Sequence, residues 1–159
     1  TISNENVKKE LKEKFNFYWF HFLNIQLEYL KLWRSQLKDL DLILISLQIT
    51  SIFALKAKEK NLSHKNIYNN PSVIKDFESA SINANSVSEF TGIPRATCIR
   101  KLKHLVELNM ITQDHISKRY YLVPTNTSKD LISKKLTQKV TEIFSEFYFI
   151  CIRAISSKT

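Results

Sequence analysis

Six side chains between positions 95 and 104 carry the groups most suited to recognition chemistry: Arg95, Ala96, Thr97, Arg100, Lys103 and His104. On a helix turning about 100° per residue, Ala96, Arg100, Lys103 and Glu107 share one side, flanked by Thr97 and His104. Cys98, Leu102 and Leu105 fall on the opposite side. Arginine can donate two parallel hydrogen bonds to a guanine edge, threonine can meet a base or a phosphate, and lysine neutralises phosphate. A second basic set follows at Lys118 and Arg119. This is the chemistry of gripping a polyanion, not of making or breaking bonds. Taken alone, however, a basic helix face is usually a solvated face.

Residue patterns for other chemistry are missing. His21, His64, His104 and His115 show no ligand spacing with one another or with Cys98 and Cys151, whereas a zinc site needs several converging N or S ligands. With one glycine in 159 residues, no glycine-rich phosphate loop can be built, which removes Walker and dinucleotide-binding fingerprints. Serines are plentiful but form no nucleophile-elbow or triad pattern. The expectation is a non-enzyme without metal or cofactor. Both cysteines sit on apolar helical faces and read as small buried hydrophobes in a reducing, cytoplasmic setting.

The elements that must position the basic residues are legible from turn and cap chemistry. The single glycine, Gly92, lies two places before Pro94 and suggests a tight turn with positive φ. Asn83 is a good cap for a helix over Ala84–Thr91. Ser86 with Glu89 also spells a capping box, but starting there leaves about one turn before Gly92. Val87 and Ser88 face inward. Pro94 opens a second helix, Pro94–Leu108, where its missing N–H is harmless. Asn109 then stands where a left-handed residue is wanted. Met110–Gln113 and Lys118–Val123 read as two strands joined by a turn over Asp114–Ser117. A basic hairpin after such a helix can reach phosphates or the minor groove.

The flanks read as helices. Residues 4–14 interleave Glu and Lys for mutual i,i+4 support. An aromatic run follows, with Phe15, Trp19, Phe22 and Leu23 on one face and Phe17 and Phe20 widening it. A helix this broadly apolar needs burial on several sides, and a partner subunit is the natural source. An aromatic-lined pocket for a small apolar effector, among Trp19, Phe22, Trp33 and the next helix, is the alternative. Asp39 can cap that next helix, whose run Leu42–Leu55 has no charged residue. Its length falls short of the roughly 20 residues that cross a bilayer, so a core helix is expected and no membrane. Residues around Asn69-Asn70-Pro71 break the pattern, and a short helix through Val73, Ile74 and Phe77 follows. After Pro124, Thr127 or Ser128 can cap a last helix carrying Leu131, Ile132, Leu136, Val140, Ile143, Phe144, Phe147, Ile150 and Cys151.

Net charge is +9, which suits a polyanionic partner, but the excess is shared equally by 1–60, 81–124 and 125–159. Charge therefore does not locate the site; the side of the helix must. Four segments are expected: N-terminal core and dimerisation helices over 1–60, a connector over 61–80, the basic unit over 81–125, and a C-terminal helix over 126–159.

The run from Ser86 to Thr97, then Leu102, Leu105, Met110-Ile111 and Arg119 to Pro124, resembles the winged helix-turn-helix of bacterial transcriptional regulators. The flanking helices make the architecture similar to the MarR-like family, and the local motif is also similar to IclR-like domains. That resemblance implies a mainly α fold, with a three-helix unit and two-stranded wing between long terminal dimerisation helices. It implies a homodimer on double-stranded DNA, a pseudo-palindromic operator, Arg95, Thr97, Arg100 and Lys103 in the major groove, and Lys118 and Arg119 on the wing. Phe15, Trp19, Phe22, Leu23, Phe144 and Phe147 would pair the subunits. A winged-helix protein-interaction module within a larger assembly is the reading from a different class.

Overall fold

The computed structural model describes residues 3–61, 79–122 and 130–156. These contain helices α1 (Asn4–Glu13), α2 (Phe15–Leu37), α3 (Leu40–Glu59), α4 (Ala84–Thr91) and α5 (Arg95–Glu107). Strands β1 (Thr112–Gln113) and β2 (Tyr120–Tyr121) and helix α6 (Asp130–Ser156) follow. The described chain is thus mainly helical with one small antiparallel sheet. It divides into two compact units, one of Thr1–Gln36 with Asp130–Thr159 and one of Leu37–Lys129.

The second unit is built on α3. Asp39, in extended conformation, caps it through Oδ1, which accepts the Leu42 N–H at 2.9 Å. Leu42, Ile43, Ile45 and Ile49 are buried, and the helix packs against α4, α5 and β2. Val87 from α4 and Cys98, Leu102 and Leu105 from α5 are fully buried. Each large apolar side chain so removed from water contributes about 1.5–3 kcal/mol of transfer free energy. The uncharged run at Leu42–Leu55 is extended at both ends by charged turns, so α3 reaches 20 residues. Among the described residues it is the one helix long and apolar enough, by length and composition, to cross a membrane. Its most apolar stretch is 39% buried, and it packs against α4 and α5. It belongs to the second compact unit, together with α4 and α5.

Within the first unit, Ser3 caps α1 by accepting the Asn6 N–H at 3.2 Å. The helix stops at Lys14 and α2 restarts at Phe15. Glu10 is buried at this joint, where Oε1 accepts from Tyr18 Oη at 3.3 Å and lies 3.0 Å from Lys14 Nζ. Tyr18, Ile25 and Trp33 form the buried side of α2, and Tyr29 meets Phe144 of α6 at a ring-centroid distance of 5.8 Å. Much of the remaining apolar surface lies open, including Phe20, Leu27, Phe149 and Ile152. The expected helix at Val73–Phe77, the caps Thr127 and Ser128, and the side chains of Leu131 and Ile132 lie outside the described residues, as do Val123 and Pro124.

Candidate nucleic-acid interface

The turn between α4 and α5 is held by its own side chains. Asn83 Oδ1 accepts the Ser86 N–H at 2.9 Å and starts α4 where expected. Gly92 ends it in the left-handed region, φ 73°, ψ 1°, donating its N–H to Ser88 O at 2.9 Å. Thr91 Oγ1 donates to Val87 O at 2.6 Å and accepts the Ile93 N–H at 3.3 Å. Ser88 Oγ and Cys98 Sγ both donate to Ile93 O, at 2.7 and 3.3 Å. Small polar residues thus satisfy the turn's backbone groups, and buried Ile93 pins it to the core. Burial pushes the Cys98 thiol up, as it does that of Cys151, so neither is poised as a thiolate nucleophile.

Helix α5 starts at Arg95, one residue after Pro94, and presents two sides. Cys98, Leu102 and Leu105 point inward and are fully buried. Arg95, Ala96, Arg100, Lys103 and His104 are exposed, while Thr97 is half-buried. Arg95 Nε donates to Asn85 Oδ1 of α4, so the first cation of the helix is tied across the turn. His104 Nδ1 lies 3.3 Å from Glu107 Oε2. Arg100, Lys101, Lys103, His104 and Glu107 border one shallow, open stretch of surface along α5. Lys101, absent from the expected set, turns back to the Asp39 carboxylate. That hydrogen bond, followed by the one from Leu42 N–H, holds the Asp39 carboxyl below its ordinary value.

The helix closes in a Schellman arrangement. Asn109, at φ 52°, donates its N–H to Val106 O at 2.8 Å, and Met110 N–H bonds Leu105 O at 3.0 Å. The hairpin after it is shorter than expected. Thr112 pairs with Tyr121 and Gln113 with Tyr120, while Met110 serves the helix end and Ile111 is buried. Asp114 organises the tip. Its Oδ1 accepts the Ser117 N–H, its carbonyl accepts Lys118 N–H at 3.0 Å, and Lys118 takes φ 57°. The Ser117 hydrogen bonds hold the Asp114 carboxyl below its ordinary value.

Lys118 and Arg119, both expected on the wing, differ in exposure. Lys118 is exposed. Arg119 is turned inward, donating from Nε to Ser81 Oγ at 2.8 Å and from a terminal nitrogen to Ser81 O at 2.6 Å. Beside it, Ile82 and Tyr120 exchange two backbone hydrogen bonds, 2.8 and 2.7 Å. The segment before α4 therefore lies along β2, a pairing that sequence reasoning missed because it joins residues far apart in the chain.

In the other unit, Phe15, Trp19, Phe22 and Leu23 are exposed, Phe144 is at the edge of exposure, and Phe147 is half-buried. Trp19 and Trp33 stand fourteen residues apart on α2, roughly 21 Å at 1.5 Å per residue, and only Trp33 is buried. Trp19, Phe22 and Trp33 therefore do not converge on a common pocket. No group of three or more His, Cys, Asp or Glu side chains among the described residues could hold a metal ion. In comparisons with protein-family models, curated proteins and solved structures, nothing matched the chain.

Proposed function

We propose that the chain is a cytoplasmic, sequence-specific DNA-binding transcriptional regulator with a MarR-like winged helix-turn-helix, acting as a homodimer on a pseudo-palindromic site. The observation that carries this reading is the division of α5 into two sides. Fully buried Cys98, Leu102 and Leu105 seat it against the core, and exposed Arg95, Ala96, Arg100, Lys103 and His104 form its outer edge. A glycine turn precedes it and a hairpin with exposed Lys118 follows. The Ile82–Tyr120 bridge supports the same reading, because it fastens the hairpin to the chain entering α4. Two such helices would enter successive major grooves about 34–36 Å apart.

The test is a titration of the protein on genomic fragments with excess nonspecific competitor, over a range of salt concentrations. Retained, salt-sensitive binding is expected, and loss of all DNA affinity near ~0.1 M salt overturns the reading. Arg100→Ala should relax base preference, at about 1–3 kcal/mol if it reads a guanine. Equal weakening on every sequence would instead make Arg100 a phosphate contact.

A further inference from the structure

Ile116 is 93% exposed, the most open of the large apolar side chains in the described chain. A single exposed isoleucine is unremarkable on a loose loop, but this one is held out by a built turn. The Asp114 carboxylate accepts the Ser117 N–H, Gln113 Nε2 donates to Lys118 O at 3.0 Å, and Asp114 N–H bonds Arg119 O at 2.9 Å. At its root the hairpin is fastened by Arg119 to Ser81 and by Tyr120 to Ile82. His115 and Lys118 stand exposed on either side of the tip, and the carboxylate within the tip itself, Asp114, is bonded into the turn. The result is an apolar knob on a braced stem, bordered by a cation and an imidazole.

We infer that Ile116 is a wedge that enters the DNA minor groove and partly unstacks a base step, while Lys118 lies against the flanking phosphates. The inference rests on the DNA-binding reading. Branched and other apolar side chains act this way on minor-groove proteins, exchanging unstacking for a bend that widens contact. Pre-ordering of the tip lowers the entropy lost when the wedge is seated. Charge complementarity chooses the partner, since the phosphates walling the groove meet Lys118 while the isoleucine leaves water.

The experiment uses short duplexes recovered by the full-length protein from a random-sequence pool, each carrying a fluorescent adenine analogue that brightens on unstacking. Wild type should bind and brighten one position. Ile116→Ala should bind about tenfold more weakly, the effect of removing a branched apolar contact, with the salt slope unchanged and the brightening lost. Ile116→Leu should restore both. An Ile116→Ala protein equal to wild type in affinity and brightening overturns the wedge and leaves DNA binding standing. Failure of wild type to recover any duplex overturns both. If Ile116→Ala instead lost binding to anionic phospholipid vesicles with DNA binding untouched, the tip would belong to a membrane surface and the wedge would fall.

Discussion

Asp39 and Lys101, 62 positions apart, join the start of α3 to the middle of α5. One carboxylate oxygen accepts the Leu42 N–H and the other accepts from Lys101 Nζ. Lys101 Nζ thereby leaves the solvent side on which its neighbours Arg100 and Lys103 stand; its side chain is only 16% exposed. A helix can roll about its axis while keeping the same apolar stripe in the core. The ion pair opposes that roll, and so helps decide which side chains form the outer edge.

Removing that pair should be visible in pH-dependent unfolding. The folded Asp39 carboxyl titrates below its ordinary value, so its stabilisation is present above the unfolded value of about 3.9 and disappears as pH falls through the folded one. Asp39→Asn keeps a capping oxygen but no charge. Its stability should fall less than that of wild type between about pH 5 and pH 2. Asp39→Ala loses the cap as well, for about 1 kcal/mol further. Urea unfolding across this range checks both, and a wild-type pH slope retained by Asp39→Asn would remove the carboxylate from the account.

Gly92 offers a cleaner measurement, because a Cβ built there meets nothing within 4 Å. Any penalty on substitution therefore comes from the backbone, held at φ 73°. Gly92→Ala should lower stability by about 1–2 kcal/mol, Gly92→Asn by less, and Gly92→Val by more because it is branched at Cβ. Denaturant midpoints should follow that order. Val should also abolish operator binding yet spare dimerisation by the terminal helices, as followed by sedimentation; a dimer lost first would reverse the assigned organisation.

The features legible from the sequence are those decided within a few residues. Asn83, Gly92 and Asn109 each satisfy a helix end locally, so cap chemistry placed α4 and both ends of α5 within a residue. The inward side of α5 was equally readable, because Cys98, Leu102 and Leu105 keep helical spacing. Lys101 and Arg119 were not. Each looks like a surface cation in sequence, and each is turned inward by a partner, Asp39 or Ser81, that only the folded chain brings near. The strands shrank for a related reason: Met110 completes the helix cap and Ile111 enters the core, leaving two residues on each side to pair.

Lys118 and Arg119 should consequently behave as opposites under mutation. Lys118 is exposed and, in the DNA-binding reading, meets phosphate. Lys118→Ala should leave the melting temperature unchanged, weaken all sequences alike and reduce the salt slope by about 0.9 per lost contact. Arg119→Ala removes two hydrogen bonds to Ser81 and should lower stability by about 1–3 kcal/mol. Arg119→Lys cannot restore the two-pronged geometry. A melting temperature unchanged in Arg119→Ala would return that side chain to the solvent-facing set.

Three stacked rings make the strongest case for a second subunit. Trp19 lies between Phe15 at 5.8 Å and Phe22 at 5.6 Å, with interplanar angles of 15° and 21°, and all three remain at least 40% exposed. On α6, Phe144 stacks on Tyr148 at 6.3 Å, and both are open to solvent. Clustered exposed apolar side chains are the material of interaction sites, and a standard interface buries about 1,200–2,000 Å² of total surface over both partners. Trp19→Glu should therefore convert a dimer to a monomer in sedimentation equilibrium without lowering helix content, because the ring is not part of the buried side of α2. In the DNA-binding reading, the same variant should lose roughly 10²–10⁴-fold in affinity for a two-half-site duplex, since a second α5 would no longer be delivered with the first. Its affinity for a single half-site should match that of a wild-type subunit. A wild-type protein that sediments as a monomer would sink the dimer, and a Trp19→Glu dimer would move the interface to another face.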